Sequence, residues 1–422
     1  MKKVFNLIRH KLGRLGPGFI TGAADDDPSG IATYSIVGAK VGYQLNWIVI
    51  LTIPLMTAIQ EMCGRIGMVS GMGLAGVMKK YYPKWLLIFS VMLLTIANTV
   101  NIGANLGAMA ASIQMLIPFP FIIWLAVITV VTVVMEVFIP YDRYSRYLKL
   151  MGFILFVYGI TALITKQDWL EVILHTVFPR IELSKEFLML IVGFLGTSIS
   201  PYLFFWQTAE EVEEAIKEGK ITEFDEPPSV LNEEISHMRK DTAAGMIFSQ
   251  LIAFSIMLTA ASTFYANGIT EIASPHEAAL ALRPLAGNLA FVLFAAGIVG
   301  IGLQSVPILA GGVAYSFAEA FGFKEGLAKK LTEAKAFYAT IGIATLVGAA
   351  MNIVGINPIK ALYYTAILNG ILAVPLIAII VKLADDERIV GSYKNTQVGR
   401  IVGWLTVGFM GLSVFLMLIY LL

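Results

Sequence analysis

Charge is what this 422-residue chain has little of: Asp, Glu, Lys and Arg make up 14% of it, where a soluble domain carries about 25%. Cysteine is nearly absent. Cys63 stands alone, so no disulfide framework can form within the chain and the compartment has to be argued from charge instead. The formal net charge is only +1, which argues against a nucleic-acid partner. The first sixteen residues, MKKVFNLIRHKLGRLG, are basic but lack the apolar core of a cleavable signal, so none is expected to be removed.

What fills the space left by charge is hydrophobic: 57% of the residues. Apolar stretches of about 17–25 residues recur along the whole chain, which excludes a soluble enzyme with one anchor and a β-barrel with weak alternating segments. The sequence predicts an all-α integral membrane protein with eleven spans, near 17–40, 46–70, 85–114, 118–139, 143–165, 186–209, 241–266, 286–320, 333–354, 356–382 and 399–422. Orientation follows from Lys and Arg. With a cytoplasmic amino terminus, the segments on that side hold 24 of the 30 basic residues, so the carboxyl terminus is expected outside the cell, in a bacterial or archaeal plasma membrane. The longest polar segment, 210–240, is acidic and falls on the cytoplasmic side; a solvated helix and connector is its plain reading.

Against this background Asp25, Asp26 and Asp27 sit inside the first span, followed by Pro28, Ser29 and Gly30. An ionisable residue near the bilayer centre costs roughly 2.5–3.5 kcal/mol, so three must face water, protein or a cation. Proline lacks an N–H, and glycine tolerates irregular backbone, so the helix is expected to break here. The break exposes carbonyls at the negative end of the first half-helix, and the carboxylates add full charge. Cations are favoured. Asp27, directly before the proline, is best placed to project into the break; Asp26 and Asp25 point about 100° and 200° away around a helix and are expected to line an aqueous approach or accept from the ion's waters.

The sixth span repeats the device. GFLGTSISPYLFFWQ (193–207) echoes GFITGAADDDPSG (18–30), with Pro201 matching Pro28. Two five-span halves, five being odd, enter from opposite sides, so the broken helices are expected to cross at the midplane as inverted repeats. The expected organisation is 1–165 for the amino terminus and first repeat, 166–384 for the second repeat, and 385–422 for a loop and an eleventh helix outside the repeat.

No cysteine, histidine or methionine lies near Asp27 in sequence, and the second break offers Thr197, Ser200 and the carbonyls near Ile199 and Tyr202. Oxygen donors suit Mg²⁺, Ca²⁺ and Mn²⁺, while transition metals gain from imidazole and thioether. Mg²⁺ keeps several waters and needs only one or two carboxylates. Gly30 and Ser200 leave it room. The metal is read as transported substrate; no cofactor and no obligate protein partner is expected.

The stretch GPGFITGAADDDPSGIATYSIVGAKVGY resembles the first helix of the Nramp family of divalent metal transporters, whose motif there is Asp-Pro-Gly-Asn. Ser200-Pro201-Tyr202 takes the place of the family's Met-Pro-His, and Gln304-Ser305 followed by LAGG (309–312) matches in the eighth span. The resemblance implies a LeuT-type fold with helices 1 and 6 broken, metal ligation by Asp27, Gly30 at the position of another ligand, Ser200 where a methionine selects soft metals, and an amide ligand near Asn369. Positions linked to proton coupling match Tyr202, Gln207, Asn101 and Ala104, none of which titrates near neutral pH. The pattern is similar to the Nramp-related magnesium transporters, a branch moving Mg²⁺ and Mn²⁺ without protons.

Asn98, Asn101 and Asn105 share one face of the third span, as helix-packing glue or as a neutral polar wall to the permeation path. Glu61, Glu136 and Glu319 are expected to pair near membrane ends. The principal reading is an alternating-access divalent-cation carrier that is no enzyme. Its alternatives are a proton-coupled Mn²⁺/Fe²⁺ transporter of the same family, a cation-coupled amino-acid symporter, whose substrate carboxylate three aspartates would repel, and an Mg²⁺-dependent prenyl-transferring enzyme, which needs repeated Asp-rich motifs where this chain has one.

Overall fold

A computed structural model describes residues 16–139 and 155–421, and these residues are helical throughout, joined by turns and short loops. In chain order the principal helices are α1 (Pro17–Asp25), α2 (Pro28–Val41), α3 (Asn46–Ser70), α4 (Leu74–Tyr81), α5 (Lys84–Leu116), α6 (Phe121–Phe138), α7 (Phe156–Ile164), α8 (Trp169–Val177), α9 (Lys185–Ser198), α10 (Pro201–Lys217), α11 (Asn232–Thr263), α12 (Ala290–Phe321), α13 (Lys335–Met351), α14 (Pro358–Asp385) and α15 (Gln397–Leu421).

Among the described residues nine helical segments are long and apolar enough to cross a membrane, and the two remaining expected spans account for themselves. The first is divided into α1 and α2, neither long enough alone. The fifth, expected over 143–165, lies outside the described residues up to 154 and appears from there on as α7.

Both breaks are built alike. Asp26 ends α1 at φ −80°, ψ 55° and Asp27 begins α2 at φ −68°, ψ 173°; Ile199 ends α9 at φ −119°, ψ 67° and Ser200 begins α10 at φ −87°, ψ 135°. In each case two non-helical residues precede a proline in the first helical position, where its missing N–H costs nothing. The sequence echo is therefore a conformational one.

The broken helices occupy the centre. The apolar window of Lys185–Lys217 is 94% buried, against 28% for Phe121–Phe138 and for Gln397–Leu421, so the latter two present most of their surface to lipid. Around α1 and α9 the packing is backbone against backbone. A Cβ on Gly22 would lie 2.2 Å from the carbonyl carbon of Gly245 on α11, and one on Gly196 would lie 2.0 Å from the carbonyl oxygen of Ala366 on α14. Small residues permit such approaches in membranes, where van der Waals packing rather than hydrophobic burial joins helices. The start of α1 is fastened as well: Asp241 of α11 accepts from the Gly16 N–H at 3.1 Å and the Phe19 N–H at 2.9 Å, satisfying two donors that a helix start leaves unpaired.

Candidate metal site

Asp27 caps the half-helix it begins. Its Oδ1 accepts from the Gly30 N–H at 3.0 Å and from the Ser29 hydroxyl at 2.5 Å, while Oδ2 accepts from Asn105 Nδ2 on α5 at 3.0 Å. A carboxylate offers about four lone-pair directions. Both oxygens are engaged by neutral donors from α2 and α5. Each of these donors meets the group as a hydrogen-bond acceptor and fixes where its two oxygens lie.

The second break is stitched to the first by hydroxyls. Ser29 Oγ and Thr197 Oγ1 lie 3.3 Å apart, Tyr34 OH and Ser198 Oγ 3.1 Å apart, and the Tyr202 hydroxyl donates to the Ala24 carbonyl at 3.0 Å. Every one of these groups is buried. The last bond satisfies a carbonyl at the end of α1, where intrahelical donors run out. Ser200 does the same for α9: its hydroxyl lies 2.9 Å from both the Gly196 and Thr197 carbonyls, so its hydrogen turns inward to the helix end and its lone pairs stay free.

The expected site residues therefore divide. Asp27 and Gly30 are joined directly, with Thr197 against Gly30, where an added Cβ would meet Thr197 Oγ1 at 3.4 Å. Ile199, Ser200 and Tyr202 make up the facing break. Asn369 is buried on α14 with Nδ2 unpartnered, next to Gly370, whose backbone packs on Gly196. Asp26 goes elsewhere. Together with Asp25 it faces α11, where the Ser249 hydroxyl lies 2.7 Å from Asp25 Oδ2 and 3.4 Å from Asp26 Oδ1. Both are fully buried, so the aqueous approach expected of them is closed in this conformation. Among the described residues no three His, Cys, Asp or Glu side chains converge on one metal position, and the oxygen-rich surroundings of Asp27 come from hydroxyls, amides and carbonyls.

The asparagine face of α5 divides. Asn98 is glue, donating to the Leu309 carbonyl of α12 at 2.8 Å; Asn105 belongs to the site, bridging Asp27 and Ser305 Oγ at 3.0 and 3.3 Å. Asn101, between them, has both amide atoms buried and unpartnered. The outlying acids are largely structural. Glu61 meets Arg65 through two bonds of 2.8 and 3.1 Å and Arg239 at 2.8 Å; Glu319 accepts from the Gly73 and Gly76 N–H groups that start α4 at 2.5 and 3.0 Å; Glu136 accepts from Thr345 at 3.1 Å. Within 210–240, α10 continues to Lys217 and α11 begins at Asn232, and their acidic ends flank a cavity of about 530 Å³ lined by Glu211, Glu214, Glu218 and Glu234.

Sequence reasoning missed Ser249 altogether, since nothing marks one serine in an apolar helix. It left Asn105 open between packing glue and a polar wall and did not bring it to the carboxylate.

Two interrupted helices meeting around a buried carboxylate, inside a bundle of unbroken ones, define a LeuT-type transporter fold. A multi-pass membrane protein of this architecture is what the solved structures match. The Eremococcus coleocola manganese transporter superposes with a TM-score of 0.74 at 17% identity, covering 96% of this chain and 85% of that one. Mhp1, a nucleobase-cation-symport-1 family transporter, superposes in its closed conformation with a TM-score of 0.60 at 11% identity, covering 96% and 90%. The model of the Nramp family, natural resistance-associated macrophage protein-like, matches residues 18–420. The chain belongs to the Nramp family. Among curated relatives, a divalent metal cation transporter MntH of Aeromonas hydrophila is 26% identical over 419 residues, 97% of this chain and 96% of the relative, and one of Klebsiella pneumoniae is 23% identical over 404 residues, 94% and 91%.

Proposed function

We propose that this protein carries divalent metal ions into the cell by alternating access, with Mg²⁺ as its principal substrate and Mn²⁺ as a second, and without proton coupling. The observation that carries the reading is the setting of Asp27: buried at the meeting of the two breaks, held by Ser29, Gly30 and Asn105, and surrounded by oxygen and amide groups. A single carboxylate oxygen amid hydroxyls and carbonyls is a hard donor set for an ion that keeps most of its water. The names of the relatives, divalent metal cation transporters and a manganese transporter, support the class of substrate. Transport in place of catalysis, a plasma-membrane location and a cytoplasmic amino terminus belong to the same reading, supported by the family and by the distribution of Lys and Arg.

Uptake needs no coupling ion. Two positive charges entering a cell at −100 mV gain roughly 4.6 kcal/mol, enough to concentrate the ion by itself. In proteoliposomes, a membrane potential negative inside should drive Mg²⁺ influx with no acidification of the lumen. Acidification in proportion to uptake would instead establish a proton-coupled carrier of the same family.

Selectivity tests the site itself. Ser200 supplies a hard hydroxyl at the end of α9, bonded to the Gly196 and Thr197 carbonyls, and a thioether there would add a soft ligand. Isothermal titration of Ser200→Met should show Cd²⁺ gaining on Mg²⁺ by on the order of tenfold or more; an unchanged Cd²⁺/Mg²⁺ ratio would remove Ser200 from the ion's surroundings.

A further inference from the structure

The cavity of about 530 Å³ lies where α1 starts, between the end of α10 and the start of α11. Five carboxyl groups line it, those of Glu211, Glu214, Glu218, Glu234 and Asp241, and among the described residues Lys220 is the one lysine or arginine on its wall. Lys220 is already engaged with two of the five, at 2.7 Å from Glu218 and 2.6 Å from Glu234. Glu214 meets Lys217 at 3.3 Å with both side chains in solvent, a contact of little strength. The side chains of Glu214, Glu218 and Glu234 are 41%, 49% and 28% exposed, so their charge sits in water and the cavity is negative whatever form Glu211 takes. Glu211 differs from them. It is 6% exposed, its Oε1 has no hydrogen-bond partner, and the charges that act on it most are those of other acids, Asp241 first. Nearly every buried polar atom in a folded protein has a partner, and one without calls for an explanation such as a bound ion.

We propose that this cavity is a second cation site, facing the cytoplasm, in which a hydrated divalent ion is held by Glu211, Glu214 and Asp241. Its facing the cytoplasm rests on the orientation that Lys and Arg assign, and the choice of a divalent ion rests on the transport reading of Asp27. The three side chains offer oxygen donors alone, which suit Mg²⁺ and Mn²⁺, and Mg²⁺ binds through one or two carboxylates while keeping several waters. Six waters take up about 180 Å³, so the ion enters with its shell. A cleft lined by one sign of charge also raises the local concentration of counter-ions. Asp241 ties the site to the break. The same carboxylate accepts from the Gly16 and Phe19 N–H groups, so an ion in the cavity and the seated start of α1 draw on one group.

The test counts ions. Purified full-length protein in detergent is titrated with Mn²⁺ at neutral pH, and free Mn²⁺ is read from its electron paramagnetic resonance signal. Wild type should bind two ions per chain and Asp27→Ala one. Adding Glu211→Gln and Glu214→Gln to Asp27→Ala should weaken that remaining ion by on the order of tenfold or more, whereas adding Glu182→Gln and Glu271→Gln, two exposed acids that do not line the cavity, should leave it unchanged. An Asp27→Ala protein that binds no ion would refute the cavity site while the transport site stands. Equal weakening by both pairs would reduce the cavity to general surface charge and overturn the proposal. If Asp27→Ala keeps every ion that wild type binds, the reading of Asp27 fails instead, and the Glu211/Glu214 pair alone decides the cavity. Arg9, Lys11 and Arg14 shortly precede Gly16 in the chain; binding that emerges only when these three are replaced by Gln would give the cavity to the chain's own basic start and overturn the proposal. Should Glu211→Gln not fold, Glu214→Gln decides, with the same tenfold loss expected and an unchanged affinity as the refutation.

Discussion

Asp27→Ala is expected to abolish divalent-cation binding at the meeting of the breaks: titration with Mg²⁺ or Mn²⁺ should show an affinity loss of at least about 100-fold, and uptake into proteoliposomes should fall to background. The magnitude follows from what the residue supplies. A ligand carboxylate provides the full charge in a site whose other donors are neutral, and changes even to residues that merely support such ligands cost about 10–100-fold. Ser29, Gly30 and Asn105 would then face a methyl group with three donors unpaired, each buried unsatisfied group costing about 1–3 kcal/mol, so a fall in thermal stability should accompany the loss of binding. Asp27→Asn separates the two effects. It keeps an acceptor for the α2 N–H groups and so should recover most of the stability, while binding stays lost because the charge is gone. Retention of tight Mg²⁺ binding by either variant would place the ion elsewhere.

Gly22→Val should be nearly as severe, through structure alone. The added Cβ would fall 2.2 Å from the Gly245 carbonyl carbon and 2.4 Å from its oxygen, and neither backbone atom can rotate aside as a side-chain tip could. Overpacking a close-packed interior costs typically about 1–3 kcal/mol when side chains yield; two helix backbones in contact have no such outlet, so α1 has to leave α11. That displacement would carry Asp25 and Asp26 away from Ser249. The expected outcome is loss of the monodisperse species in size-exclusion chromatography or, if the protein still folds, loss of ion binding with every ligand present. A Gly22→Val protein that elutes and melts like wild type would contradict the close approach of α1 and α11.

Much of this molecule is decided by local rules and was legible in the chain. Span length follows from the thickness of hydrocarbon, so the long apolar helices and their order could be read directly, as could both breaks, because a proline after small or polar residues acts on its own neighbours whatever surrounds them. The placement of Asp27 directly before Pro28 is likewise local: it makes the residue an N-cap, and the cap geometry aims its carboxylate into the break. Interior contacts across the bundle are another matter. The α5 periodicity put Asn98, Asn101 and Asn105 on one face, yet which of them would reach Asp27 depended on how α5 lies against α2, and the answer was Asn105. The direction of Asp25 and Asp26 depended on α11, more than 220 residues away in the chain, bringing Ser249 to them. Side-chain partners between distant helices are settled by glycine-lined close packing in three dimensions, for which one sequence carries no period and no spacing, and so the division of three adjacent aspartates between two faces of a single break was the work of the tertiary structure alone.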